Sequence, residues 1–88
     1  MDYSIRWHDK AVADLKKLDK DHAKRIVEKI KNYLVKDPLS MGKPLKGMFK
    51  GMYRYRFGDY RILYVIDKQE KEISIMTLDH RKKVYKQE

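Results

Sequence analysis

The residues with the clearest potential for chemistry are three arginines in the stretch YRYRFGDYR, residues 53–61. Arg54 and Arg56 precede a Gly58-Asp59 pair, and Arg61 follows it. The guanidinium group stays protonated at physiological pH and presents a planar fork of donors that matches phosphate oxygens. The stretch therefore predicts a phosphate-binding cluster. The alternative is a solvated sheet face on which carboxylates from elsewhere pair with the arginines.

The Gly58-Asp59 pair predicts a two-residue β-hairpin turn, which determines the residues that lie opposite each other on its two strands. In this register Arg56 faces Arg61 and Arg54 faces Leu63. Because side chains alternate along a strand, the arginines share one face. We expect the opposite face to pack under helices, and it carries Tyr53, Tyr55, Phe57, Tyr60, Ile62, Tyr64 and Ile66.

Two other basic segments flank this hairpin in the sequence. The preceding stretch contains Lys43, Lys46, Phe49 and Lys50, and the C-terminal stretch contains His80, Arg81, Lys82, Lys83 and Tyr85. Pairing of the last strand beside the second hairpin strand would bring all three segments together. Aromatic rings beside cationic groups can stack on unpaired bases while the cations hold the backbone. The pattern indicates a site for single-stranded RNA.

Composition agrees with a polyanionic partner. The 88 residues suffice for a single domain over 1–88, and 22 Lys and Arg against 13 Asp and Glu give a formal net charge of +9. The absence of cysteine excludes disulfides and thiolate metal sites. The N-terminus does not resemble a signal peptide and no apolar run is long enough to cross a membrane, so we expect a soluble, cytoplasmic protein without a membrane partner.

Two helices are expected in the first half of the chain. Asp9 is the predicted cap of the first helix, whose polar side includes Asp14. Asp19 or Asp21 is the predicted cap of the second helix, which ends before Pro38. The second helix has an apolar stripe predicted to be core, formed by Ala23, Ile26, Val27, Ile30, Tyr33 and Leu34.

The remaining segments are predicted to be strands and one loop. A short strand covers residues 3–7, residues 38–51 form a loop, and three further strands lie near 52–57, 60–67 and 72–79. The expected fold class is α+β: an N-terminal strand, a helix hairpin and then a three-stranded antiparallel meander. We expect one twisted sheet with the helices on one face.

The stretches LKGMFKGMYRYRFGDYRILYVID and LDHRKKVY resemble the RelE toxin family of the RelE/ParE superfamily. The resemblance extends over essentially the whole chain. It implies the RelE-like fold and a toxin of a type II toxin–antitoxin system. Such a toxin would cleave messenger RNA (mRNA) in the ribosomal A site until a cognate acidic RelB-like antitoxin neutralises it.

The same resemblance implies which residues are catalytic, namely Arg54, Arg56, Arg61, Arg81 and Tyr85. This sequence departs from some RelE enzymes, which have lysines at the positions of Arg54 and Arg56. Arginine can hold a phosphate but is a poor proton acceptor. His80 is therefore our candidate for proton transfer, because histidine titrates near neutral pH. A strand-end histidine without a catalytic role is the alternative.

No cofactor is expected, and the spacing of the three histidines does not suggest a metal site. Trp7 is interpreted as a core residue, Asp59 as a turn residue and Asp79 as a possible ion-pair partner of an arginine. The lysines at 43, 46, 50, 82 and 83, together with Phe49, are the candidate RNA-binding residues.

Three other functions are compatible with the sequence. A ParE-type toxin has the same fold but inhibits DNA gyrase. A non-catalytic module would bind nucleic acid without cutting it. An inactive toxin would only bind its antitoxin. The arginine cluster and the H-R-x-x-V-Y tail favour the ribonuclease.

Overall fold

A computed structural model of the protein describes residues 2–80. The strands are β1 (Ser4–Trp7), β2 (Lys43–Pro44), β3 (Tyr53–Phe57), β4 (Tyr60–Asp67) and β5 (Glu72–His80). The α-helices are α1 (Asp9–Lys16), α2 (Lys20–Asn32) and α3 (Pro38–Met41), and two 3₁₀ turns cover Leu34–Lys36 and Gly47–Phe49.

The five strands form one mixed sheet in the order β1-β5-β4-β3-β2. Strand β1 runs parallel to β5, and the other neighbouring pairs are antiparallel. The predicted α+β class and the three-stranded meander are confirmed. The prediction of a loop over 38–51 is wrong in part, because Lys43–Pro44 pairs with β3 and Pro38 begins a short helix. Proline suits this first helical position, since its φ is already close to the helical value.

The helix caps agree with the sequence for one helix and differ for the other. The Asp19 side chain accepts hydrogen bonds from the backbone N–H groups of Asp21 and His22 at 2.9 and 3.2 Å. The backbone hydrogen bond from His22 is the largest of the effects that lower the pKa of Asp19. The prediction of Asp9 as the first cap is wrong. His8 is the cap, because its backbone is extended and its Nδ1 accepts from the Lys10 N–H at 3.2 Å.

The core lies between the helices and one face of the sheet. Ile26 and Ile30 of α2 are fully buried, together with Leu34 after its end. Ala23 and Val27 are only half-buried, and Tyr33 is 51% exposed, so only Ile26, Ile30 and Leu34 of the predicted stripe are fully buried core residues. The strands contribute the buried side chains of Tyr55, Ile62, Tyr64, Ile73, Ile75 and Leu78. Trp7 is half-buried against this core, as expected.

Strand β5 contains a β-bulge that changes the direction of its side chains. Leu63 of β4 pairs with Thr77, but the next residue, Tyr64, pairs with Ile75, so Met76 is the extra residue. A bulge interrupts the strict alternation of a strand. Ile75 and Leu78, three positions apart, consequently both face the core.

Candidate functional site

The arginine cluster, defined as Arg54, Arg56 and Arg61, lies on the outer face of the sheet, the face away from the helices. Arg56 pairs with Arg61 and Arg54 pairs with Leu63, as the Gly58-Asp59 turn predicts. Tyr55, next to two of the arginines, points into the core and is only 8% exposed. Alternation along β3 and β4 therefore turns the arginines outward. Arg56 is exposed, and Arg54 and Arg61 are half-buried.

No carboxylate forms an ion pair with this cluster within residues 2–80. The ion pairs in that range join Lys10 to Asp14 and His22 to Asp19, both at 3.1 Å. Guanidinium groups directly opposite each other on a sheet repel by some tenths of a kcal/mol. A bound phosphate would remove this repulsion and supply acceptors for the donors of both groups.

Lys43 extends the cluster at the edge of the sheet. It lies on β2 directly opposite Arg54, so the two side chains share the outer face. Met41, Lys43, Arg54 and Arg56 line a pocket of about 160 Å³ together with Tyr55. No strand was predicted at Lys43, because two residues are too few to show a periodic pattern.

The other residues of the basic loop lie at the far end of β3 from the hairpin turn. Lys46, Phe49 and Lys50 are exposed in the connection between β2 and β3, and Phe49 is 51% exposed. The backbone N–H of Leu45 donates to the Met52 carbonyl at 2.9 Å and closes this connection. These residues therefore extend the surface from Arg54 along the sheet and do not converge on Arg56 and Arg61.

The predicted location of His80 beside the arginines is wrong. His80 pairs with Tyr60, and its ring meets the Tyr60 ring edge-on with centroids 4.8 Å apart. Tyr60 in turn contacts His22 of α2, with its hydroxyl 3.3 Å from Nδ1. His80 thus lies on the helix side of the sheet, because the bulge at Met76 inverts the alternation of β5 after that point.

Burial and two nearby carboxylates raise the pKa of Tyr60. Burial is the largest effect that raises the pKa of Tyr60, and the negative charges of Asp19 and Asp59 raise it further. Tyr60 is therefore a neutral hydrogen-bonding group near neutral pH. The turn role expected for Asp59 is confirmed by its place between β3 and β4.

Asp79 occupies the outer-face position that His80 was expected to occupy. It pairs with Arg61 on the side away from Arg56, so the row across the sheet reads Arg56, Arg61, Asp79. The expected ion pair between Asp79 and an arginine does not form within residues 2–80. The sequence predicts only a structural role for Asp79, because no local pattern in residues 72–80 signals the bulge.

The remaining predicted site residues, Arg81, Lys82, Lys83 and Tyr85, lie outside the described residues. Residues 2–80 contain no group of three or more His, Cys, Asp or Glu that could hold a metal ion. In the same range, no helix is both long enough and apolar enough to cross a membrane.

The chain matches a family model described as the ParE toxin of the type II toxin–antitoxin system parDE, over residues 5–85. The chain belongs to the RelE/ParE superfamily of type II toxins. It is 36% identical over 86 residues to Toxin RelG of Mycobacterium tuberculosis, covering 98% of this chain and 99% of the relative. The resemblance to RelE toxins found in the sequence is thereby confirmed.

Solved structures of toxins support the same assignment. The toxin–antitoxin complex RelBE2 from Mycobacterium tuberculosis contains a chain with a TM-score of 0.88 and 36% identity, covering 92% of this toxin and 100% of that chain. The archaeal RelE–RelB complex from Pyrococcus horikoshii gives a TM-score of 0.71 at 30% identity, covering 92% and 97%. The RelE-like fold is therefore shown by structure as well as by sequence.

Proposed function

We propose that this type II toxin is an endoribonuclease that cleaves messenger RNA in the ribosomal A site and thereby inhibits translation. The observation that carries the proposal is the arginine cluster on the outer face, which forms no ion pair with a carboxylate within residues 2–80. The opposed guanidinium groups repel each other in the protein alone, and a phosphate of an RNA backbone would remove this repulsion.

The proposed chemistry requires no metal ion. The 2′-hydroxyl of a ribose attacks the adjacent phosphorus, and negative charge develops on the phosphate oxygens. Arg61 and Arg81 stabilise this charge, while Arg54 and Arg56 position the RNA backbone. Tyr85 stacks on a base or orients the 2′-hydroxyl. Flanking RNA is held by Lys43, Lys46, Phe49, Lys50, Lys82 and Lys83.

We further propose an acidic RelB-like antitoxin as the partner that neutralises the toxin in the cytoplasm. The two solved complexes pair toxins of this family with antitoxins. A formal net charge of +9 favours an acidic segment, and such a segment over the outer face would screen the arginine cluster.

Substitution of Arg61 tests the ribonuclease. We expect Arg61→Ala to lower the cleavage rate of ribosome-bound mRNA by about 100-fold or more, because it removes a cation from the developing charge. The measurement is a single-turnover assay in which the new RNA ends are mapped. Arg25→Ala is the control, since Arg25 is an exposed arginine on α2 and the substitution changes the charge equally. Wild-type rates in Arg61→Ala would contradict the proposal.

A second candidate function is inhibition of DNA gyrase, and the match to the ParE family model favours it. Purified toxin would then block supercoiling by gyrase or accumulate cleaved DNA, and ribosome-bound mRNA would remain intact. The arginine cluster would have no catalytic role in that case. The two assays, run on the same preparation, separate the two functions.

A further inference from the structure

The arginine cluster of the proposed ribonuclease contains no proton acceptor. Arginines stay protonated, so Arg54, Arg56 and Arg61 cannot accept the proton of a 2′-hydroxyl. His80 could accept a proton, but its ring lies against Tyr60 on the helix side of the sheet. The outer face must supply another group if cleavage occurs there.

Asp79 is the carboxylate that the fold places in this position. It lies directly across from Arg61 on the outer face, and Cβ atoms of such opposed residues are about 5 Å apart. The placement depends on the bulge, because strict alternation from Ile73 and Ile75 would bury Asp79 and turn His80 outward. Leu78 fills the core position instead and is only 6% exposed.

The Asp79 side chain has no ion pair or hydrogen bond within residues 2–80. Asp59, which also lies near this end of the sheet, is exposed in the hairpin turn. By contrast, the buried carboxylate Asp14 has both a lysine and a backbone N–H as partners. Asp79 is thus a carboxylate in a cationic row, and no residue of the described range 2–80 occupies its oxygens.

We propose that Asp79 is the general base of the cleavage reaction, an inference that rests on the proposed ribonuclease function. A phosphate bound by Arg61 and Arg56 brings the neighbouring ribose next to β5, where Asp79 reaches its 2′-hydroxyl. A carboxylate has oxygen lone pairs that can accept a proton, whereas a protonated guanidinium group has none.

The step is balanced without a metal or a redox partner. The Asp79 carboxylate takes the 2′-hydroxyl proton, the 2′-oxygen bonds to phosphorus, and the bond from phosphorus to the 5′-oxygen breaks. The upstream fragment ends in a 2′,3′-cyclic phosphate. The leaving 5′-oxygen takes a proton from water, and Asp79 returns its proton to the solvent.

The first test compares Asp79→Asn with Asp59→Asn, which changes the net charge equally and lies in the turn beside the site. Single-turnover cleavage of ribosome-bound mRNA is measured at increasing ribosome concentrations. We expect Asp79→Asn to lower the maximal rate by about 100-fold or more, within the usual contribution of a general base. The half-saturating ribosome concentration should stay within a few-fold of wild type. Asp59→Asn should cleave normally.

The second test is chemical rescue, which a purely structural role would not permit. Asp79→Ala is assayed with added formate or acetate, with chloride at equal ionic strength as the control. We expect rescue by both carboxylates, and acetate should be more effective because it is the stronger base.

The outcomes separate this inference from the function on which it rests. A wild-type toxin that leaves ribosome-bound mRNA uncut overturns both. Wild-type cleavage with an unchanged rate in Asp79→Asn overturns the role of Asp79 alone. A defect of Asp79→Ala that appears only in ribosome binding, or that no carboxylate rescues, likewise overturns it.

Discussion

Tyr64 is fully buried, yet its hydroxyl has a partner, since it donates a 2.6 Å hydrogen bond to the Pro38 carbonyl. Gly42 lies against the same hydroxyl, and a Cβ at this position would overlap it and crowd the Arg54 carbonyl. The contact therefore joins α3 and the start of β2 to the centre of the sheet. Glycine is required at position 42 for this close approach.

Burial makes Tyr64 a reporter of alkaline unfolding. Burial is the largest effect that raises the pKa of Tyr64, and the nearby Tyr53 and Tyr55 raise it further. The folded pKa exceeds the unfolded value of 10.0, so the stabilisation is complete below pH 10 and is lost as the pH rises above it.

We therefore expect the free energy of unfolding to fall more steeply in wild type than in Tyr64→Phe between pH 9 and 11. One tyrosine that ionises only in the unfolded chain accounts for a difference of about 1.4 kcal/mol over this range. Urea denaturation at both pH values measures it. Lysines titrate in both proteins and cancel in the comparison. Equal losses would show that Tyr64 ionises without unfolding.

Asp14 connects helix α1 to strand β5. Its side chain accepts from the buried backbone N–H of Leu78 at 3.1 Å and also pairs with Lys10. The sequence predicted a polar surface position, and that prediction is wrong, because Asp14 is only 8% exposed. Strand β1 ends at Trp7, whose partner is Ile75, so Leu78 lies beyond its reach. Asp14 thus supplies the hydrogen-bond acceptor that a neighbouring strand would otherwise provide for the Leu78 N–H.

Loss of the Asp14 side chain should destabilise the fold by more than loss of the Lys10 side chain, which removes only the ion pair. We expect Asp14→Ala to cost about 1–3 kcal/mol, because it leaves a buried N–H without an acceptor. Lys10→Ala should cost about 0–1 kcal/mol, since the lysine is largely exposed. Thermal and urea unfolding of both variants provide the comparison. Similar losses in the two variants would mean that the hydrogen bond to Leu78 contributes little.

In the whole molecule, the helices cover one face of the sheet and the arginine cluster lies on the other face. Lys43 and the cluster lie on the outer face, whereas the cations of α2 lie on the helix side. Substitution of a cation on the outer face should therefore weaken RNA binding, whereas substitution of a cation on α2 should not.

The salt dependence of RNA binding tests this division. We expect Arg54→Ala to reduce the slope of log affinity against log salt concentration by about 0.7, the value for one phosphate contact on a single strand. Arg25→Ala on α2 should leave the slope unchanged. Fluorescence titrations with a short single-stranded RNA at several salt concentrations measure both slopes. Equal reductions of the slope in the two variants would mean that RNA binding depends on the net charge of the protein and not on the outer face.

Much of this architecture is local and could be predicted. The Gly58-Asp59 turn sets the register of β3 and β4, so the shared face of Arg54, Arg56 and Arg61 followed from the sequence. The cap at Asp19 and the buried Ile26 and Ile30 are likewise signalled by neighbouring residues. The edge strand at Lys43–Pro44 was missed, because it depends on β3 and has no periodic pattern of its own.

The arginine cluster follows from local sequence alone, because a two-residue turn and the alternation of side chains need no distant contact. The residue of the last strand that joins the cluster depends instead on long-range pairing and packing. Pairing with β4 leaves Met76 as an extra residue in β5, which turns Leu78 into the core, Asp79 toward Arg61 and His80 toward the helices. The physical reason is packing: Ile75 and Leu78 both fill the core, and a strand can bury two residues three positions apart only through a bulge.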